Sequence, residues 1–182
     1  MYPYIRMAKE MWKFRRAPRL SILEPHVSTH RIWPWDLDPW RELNNGRTLT
    51  LFDLGRIPMS VRMGFDRVAK AKGWGITVAG NSTRYRRRVT LFQRLTQVSR
   101  VLGWDDRFVY VEQSFWRDGE CTASMLLRSA FIRKGGMVPP PEVLAALGQP
   151  VTSPELPGWV AAWIAGDADR QWPPEIPPAV RL

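Results

Sequence analysis

Trp35-Asp36-Leu37-Asp38-Pro39-Trp40-Arg41-Glu42-Leu43-Asn44-Asn45-Gly46 is the stretch on which the fold turns. Pro34 and Pro39 bracket a loop, and Asn44-Asn45-Gly46 is a turn or capping signal. From Arg47 the apolar spacing becomes helical. Leu51, Leu54 and Ile57 recur at intervals of three, and Gly55 lets a helix approach a sheet closely. The stretch therefore sets two acids, Asp38 and Glu42, just before a helix start, where free backbone N–H groups and the positive end of the helix dipole lie. A carboxylate beside such donors can attack or hydrate a carbonyl while the amides hold its oxyanion.

Downstream of Gly55 two periods compete. Ile57, Met59, Val61, Met63 and Phe65 alternate with polar or small residues as in a strand, and Pro58 removes a helical hydrogen bond. The pattern predicts a helix over 46–56 and leaves 57–72 open. The rest of the body reads as β: a first strand within about 20–34, then 77–89, 91–102 and 108–116, and a last strand carrying Cys121, Ala123, Met125, Leu127 and Phe131 on one face. Arg117-Asp118-Gly119-Glu120 predicts a two-residue type I′ hairpin. In the first strand His26, Ser28 and His30 alternate with Val27, Thr29 and Arg31, and the histidines are expected on the strand surface. One helix against an antiparallel sheet is an α+β domain. The reading divides the chain into a basic N-terminal arm (1–20), the domain (21–147) and a Pro-rich tail (148–182), in which Trp159, Val160, Trp163 and Ile164 suggest a turn or two of amphipathic helix.

The 182 residues suffice for one core. Net charge is +10, with −3 on residues 135–182 and +13 on residues 1–134. Such a body favours anionic partners: nucleic acid, acidic lipid headgroups or a phosphate-bearing substrate handle. No aromatic–basic RNA signature accompanies the charge, so no nucleic-acid partner is expected. One cysteine, Cys121, excludes an intrachain disulfide and suits a cytoplasmic setting; with only His26 and His30 beside it, no Cys/His zinc site is expected. Residues 1–16 lack the pattern of a signal peptide. They read either as an arm packed on its own domain or a partner subunit, or as a basic amphipathic helix in peripheral contact with a membrane.

Strand, central helix and four meandering strands is the order of a hotdog domain, an antiparallel sheet wrapped around one central helix. Asp36-Leu37-Asp38 followed by Glu42-Leu43-Asn44-Asn45-Gly46-Arg47 resembles the Asp-x-Asp…Asn-Asn pattern of 4-hydroxybenzoyl-CoA-type hotdog thioesterases. Asp53-Leu54-Gly55-Arg56 stands where that family carries an acid-x-x-Arg on the central helix. Arg84–Arg88 and Gly103-Trp104-Asp105-Asp106-Arg107 look nearer to the subgroup around thioesterase superfamily member six. The resemblance covers roughly residues 25–147. It implies hydrolysis of acyl-CoA by a homodimer or a dimer of dimers, with sites between subunits and no cofactor beyond the CoA of the substrate.

By that resemblance Asp38 is nucleophile or base, and the backbone N–H of Asn45, aided by Gly46, polarises the thioester carbonyl. Where the family has Gly-His this chain has Arg41-Glu42, and Thr48 replaces a Tyr; Glu42 then stands as an alternative base. Asp36 reads as a brace and Asn44 as a helix cap. Trp40 is a candidate for the acyl pocket. Arg84, Arg86 and Arg88, with Arg87, suit CoA phosphates, or equally a solvated strand edge. Asp105, Asp106 and Arg107 are expected to hold a turn. A non-catalytic acyl or lipid carrier is the alternative function.

Overall fold

Asn44 starts the central helix. In the computed structural model, which describes residues 2–175, its side chain accepts the Arg47 N–H at 3.0 Å and its backbone is extended, as an N-cap requires. In chain order the elements are α1 (Tyr4–Phe14), β1 (His26–Arg31), α2 (Asn45–Arg62), α3 (Phe65–Lys72), β2 (Gly75–Tyr85), β3 (Arg94–Trp104), β4 (Val109–Arg117), β5 (Glu120–Arg133), β6 (Gly136–Val138), α4 (Pro140–Ala146) and α5 (Gly158–Ala168). The strands form one antiparallel sheet in the order β1-β3-β4-β5-β2, with β6 added to the end of β5. The sheet wraps around α2, so the fold is the hotdog arrangement.

The helix runs further than its sequence pattern predicts. Pro58 lies inside α2, which continues to Arg62 and turns at Gly64 (φ 91°) into α3. The missing Pro58 N–H is outweighed by packing, since Leu51, Phe52, Leu54 and Met59 are buried in one core and Pro58 itself is buried. The strand-like alternation at 57–65 is incidental, for Ile57 is exposed and Pro58 buried. Gly55 is needed for close approach: a Cβ there would stand 2.4 Å from Gln97 Nε2 on β3. Gln97 and the neighbouring Gln113 each donate to the Phe52 carbonyl at 2.8 Å, pinning the helix to the sheet.

Other boundaries shift less. The first strand is confined to 26–31, and the second spans Gly75–Tyr85, leaving 86–89 outside any strand. Asp118 (φ 51°) and Gly119 (φ 81°) make the left-handed two-residue turn expected between β4 and β5. Cys121 is partly buried.

The surface expectation for the histidines is overturned. His26 and His30 are 0% and 4% exposed, and the apolar Val27 faces out. The cause is α1, which lies over β1 and sets Phe14 edge-on to His26 with ring centres 4.4 Å apart. Beneath it Ser28 Oγ and His30 Nε2 are 2.8 Å apart, and Arg62 Nη1 stands 3.1 Å from His26 Nδ1. These contacts partner most of the buried polar face, while His26 Nε2 is buried with no partner among the described residues.

On the outer face of the sheet a second cluster forms around Tyr110, Leu126 and the fully buried Val160 of α5, joined by Leu156, Trp163 and Ile164. The helix suggested within 148–182 is thus three turns long and covers the sheet, while residues 176–182 lie outside the described residues. Gly103-Trp104-Asp105 serves this docking. Trp104 donates from its backbone to Ser153 Oγ (2.9 Å) and from its indole to the Val151 carbonyl (3.0 Å). Asp105 accepts from the N–H groups of Arg107 and Phe108, both at 2.7 Å, and holds the β3–β4 turn. No helix among the described residues is long and apolar enough to cross a membrane.

Candidate active site

The loop before α2 folds on itself as a small hairpin. Leu37 and Leu43 bridge, Asp38 N–H donates to the Glu42 carbonyl (2.8 Å), and Asn44 N–H to the Asp36 carbonyl (3.0 Å). Its tip turns through Arg41 in a left-handed conformation (φ 58°). Leu43 N–H then donates to the Val89 carbonyl at 2.8 Å, tying the loop to the arginine segment. Asp36 is fully buried and braces this loop, accepting from Arg6 Nη1 and Arg47 Nε, both at 2.7 Å, and from Trp33 N–H at 3.0 Å.

Asp38 sits on the other side of the hairpin. Its Oδ1 accepts the backbone N–H groups of Trp40 (2.9 Å) and Glu42 (3.2 Å). Its Oδ2 has no partner among the described residues. The first two helical amides, of Asn45 and Gly46, likewise have no acceptor among the described residues, because the cap is spent on Arg47 and the Thr48 N–H goes to the Asn44 carbonyl at 2.9 Å.

Asp38 and Asn45 share a cleft of about 400 Å³. Asp38, Trp40, Glu42 and Asn45 form one wall, Arg86, Arg87 and Arg88 another, and Phe115, Thr122 and Ala123 lie beneath. Glu42 is engaged: its Oε2 is 3.1 Å from Arg88 Nε, and the same guanidinium donates to the Trp40 carbonyl at 2.5 Å. Arg87 pairs with Glu120. Gly46 does not line the cleft. Arg84 is not brought to the cleft; it lines a separate hollow with Glu112, Trp159 and Trp163. Adjacent strand residues point to opposite faces, so Tyr85 takes the cleft side and Arg84 the other.

Sequence reasoning missed Tyr85, whose hydroxyl donates to the Asn45 carbonyl at 3.3 Å and lines the cleft. The one signal for it was its place as the aromatic residue inside the arginine run. It also missed Arg117, which donates to the Arg88 carbonyl at 3.0 Å and so supports the arginine wall.

Farther along α2, Asp53 and Arg56 are paired, and Arg56 Nη1 donates to Gln113 Oε1 at 3.0 Å. Burial pushes the Asp53 carboxyl up, against the pull of Arg56 and of Tyr2. The Tyr2 hydroxyl is pushed up to about 12, first by burial and then by the Asp53 charge. Neither residue reaches the cleft. No cluster of three or more His, Cys, Asp or Glu side chains suited to a metal ion occurs among the described residues.

Comparison with known proteins gives a consistent picture. The model of the thioesterase-like superfamily matches residues 32–164. Protein THEM6 of Xenopus laevis is 32% identical over 164 residues, covering 88% of this chain and 78% of that protein. Protein THEM6 of Danio rerio is 31% identical over 120 residues, 65% of this chain and 59% of that protein. Among solved structures, a probable thioesterase from Bartonella henselae superposes with a TM-score of 0.58 at 19% identity, covering 64% of this chain and 98% of that one. The probable thioesterase YbaW from Escherichia coli superposes at 0.59 and 18% identity, covering 70% and 99%. At such identities the structural likeness speaks for the fold.

Proposed function

The chain belongs to the thioesterase-like superfamily, and from that premise we propose that it hydrolyses acyl-CoA thioesters to free acid and CoA. One observation carries the reading. Asp38, whose Oδ2 is unengaged, and Asn45, whose amide is unengaged, line the same arginine-walled cleft.

In this reading Asp38 Oδ2 takes a proton from water as the water oxygen adds to the thioester carbonyl carbon, or adds to that carbon itself. The carbonyl oxygen gains the negative charge and accepts the Asn45 N–H, with Gly46 beside it, at the positive end of α2. Collapse of the adduct breaks the C–S bond, and the CoA sulfur leaves as thiolate. If Asp38 has attacked directly, water then hydrolyses the mixed anhydride. Asp38 is preferred to Glu42 because the Glu42 carboxylate is already held by Arg88. Arg86 and Arg88 flank the cleft as partners for CoA phosphates, Trp40 for the acyl group, and no cofactor takes part.

A homodimer fits this site. β2 ends the sheet with an open edge of 11 residues on which Ile76 and Val78 are half exposed. Such an edge pairs readily with a second copy, and Tyr85 at its end lines the cleft, so pairing there would bring the partner beside it. A reducing, cytoplasmic setting suits the single free Cys121.

The test is release of CoA thiol from a panel of acyl-CoAs by purified protein. Asp38→Asn is expected to slow release by roughly 10²–10⁴-fold. Equal rates for wild type and Asp38→Asn would remove Asp38 from the chemistry.

A further inference from the structure

Helix α1 has an inner and an outer face of different character. Met7, Glu10 and Phe14 follow the i, i+3, i+7 spacing of one helix face and turn inward; Glu10 is 5% exposed, and Phe14 packs on His26. Glu10 is also the only acid in residues 1–20, so its burial removes the one negative group from this part of the surface.

The outward line is Ile5, Lys9 and Trp12, spaced i, i+4 and i+7 and flanked by Ala8 and Lys13, with Arg16 exposed in the turn just beyond the helix. Ile5 is 88% exposed and Trp12 66% exposed, which a helix packed only on its own domain does not require. The Arg15 guanidinium lies 4.1 Å from the Trp12 ring centre and donates to the Trp12 carbonyl, so the indole is held in position. Beside Ile5 the apolar surface continues. Tyr4 and Ile5 line a groove of about 1,020 Å³ whose far side is Trp33, Trp35 and Leu37, with Trp33 and Trp35 stacked at 5.6 Å.

We propose that this face, the outer side of α1 with Tyr4 and Trp35 beside it, docks the protein on an anionic lipid bilayer. The occupant follows from the pattern. Large apolar side chains alternate with cations along one line, and no acid stands among them. In a two-fold contact between copies the same patch faces itself, which would set Lys9, Lys13 and Arg16 against their own equivalents. A polyanion such as nucleic acid would satisfy the cations but leave Ile5 and Trp12 in water. An anionic bilayer satisfies both: the indole and the isoleucine enter the interface while the lysines and arginines meet the headgroups. Because α1 is docked, with Arg6 clamped on Asp36, the surface is ready-made and needs no unfolding of the arm.

The experiment is co-sedimentation of the full chain with vesicles of phosphatidylcholine, alone or with about 30 mol% phosphatidylserine. Binding is expected only to the anionic vesicles and is expected to weaken as salt rises. Exchanging Lys9, Lys13 and Arg16 for Gln is expected to lower partitioning on the order of 100-fold, at roughly five-fold per cation. Ile5→Ser with Trp12→Ser is expected to abolish it at the same charge, with unchanged circular dichroism because both side chains are exposed.

Equal binding to both vesicles, or to neither, overturns the proposal. So does an apolar variant that binds as wild type, which would leave only polyanion attraction, or one whose oligomer size falls, which would assign the face to a second copy. None of these readouts uses thioester hydrolysis, so the bilayer and the catalytic readings fail separately.

Discussion

Arg6 on α1 and Asp36 in the loop before α2 meet at 2.7 Å, thirty residues apart in sequence, and Asp36 has no solvent exposure. Arg47 of α2 takes the other carboxylate oxygen, so one buried side chain joins the N-terminal helix, the loop and the central helix. Asp36→Asn leaves two guanidinium groups crowded without their counter-charge and is expected to cost about 3 kcal/mol. Arg6→Ala leaves Asp36 with Arg47 and is expected to cost less, about 1–2 kcal/mol, since Arg6 is partly exposed. Urea denaturation of both variants checks the order; an Asp36→Asn protein as stable as wild type would show the brace to be dispensable.

The histidines under α1 make stability depend on pH. Burial, aided by nearby Arg62 and Lys13, lowers His26 from 6.5 to about 4; burial, with Arg6 and Lys13, lowers His30 to about 3. Above 6.5 both are neutral folded or unfolded, and their contribution is complete. Below 6.5 the unfolded chain takes up protons that the folded chain refuses, so stability falls until the folded sites titrate near 4 and 3. The slope approaches about 2.7 kcal/mol per pH unit for two protons. Glu10 opposes this in its own range, because burial raises its carboxyl and favours the protonated form in the fold. Unfolding free energies measured between about pH 7 and pH 5 are expected to fall, and His26→Gln to halve the slope. A flat profile would mean that α1 does not seal the histidines.

How legible such features are in sequence depends on how far away their causes lie. Asn44 as a cap, Asp118-Gly119 as a turn and Gly55 as a contact were readable because each acts through its own backbone or one neighbouring element. Asp36 as a brace was readable, though its partner Arg6 was not. The burial of His26 and His30 was illegible because α1 covers them, and the continuation of α2 past Pro58 because core packing decides it. The grouping of Arg86 with Asp38, and the separation of Arg84 from both, depends on where β2 ends, which the arginine run itself conceals.

Gly55 offers a test of the α2–sheet contact. Alanine there would gain about 1 kcal/mol of helix propensity. Its Cβ, however, would collide with a Gln97 side chain that is fully buried and held to the Phe52 carbonyl. Overpacking costs about 1–3 kcal/mol, and breaking the Gln97 bond adds to that. Gly55→Ala is therefore expected to be less stable than wild type in thermal melts. A rise in melting temperature would show that α2 can lift off the sheet at no cost.

The outer-face helix is held by charge as well as packing. Arg128 on β5 is 2.7 Å from Asp167 of α5, with Phe108 and Trp163 on its guanidinium. Asp167→Asn leaves that cation without its partner at a partly exposed site, an expected cost of about 1–2 kcal/mol. Hydrogen exchange is expected to quicken in α5 before it quickens in β5. Uniform exchange across both would mean that α5 unfolds only with the sheet.

Asn45 allows the backbone to be tested without the side chain. It is the first residue of α2, the position where proline is best tolerated, and Asn44 before it is already extended (φ −61°, ψ 139°) as a pre-proline residue must be. Asn45→Pro should thus keep the helix while deleting one N–H. Asn45→Ala changes the side chain and keeps that N–H. If the amide holds the oxyanion, Asn45→Pro is expected to lower kcat by roughly 10²–10³-fold. Asn45→Ala is expected to stay close to wild type. Circular dichroism of both variants would verify that the helix is intact. Should Asn45→Pro turn over acyl-CoA as fast as Asn45→Ala, the oxyanion donor lies elsewhere, and the Gly46 amide becomes the one to test.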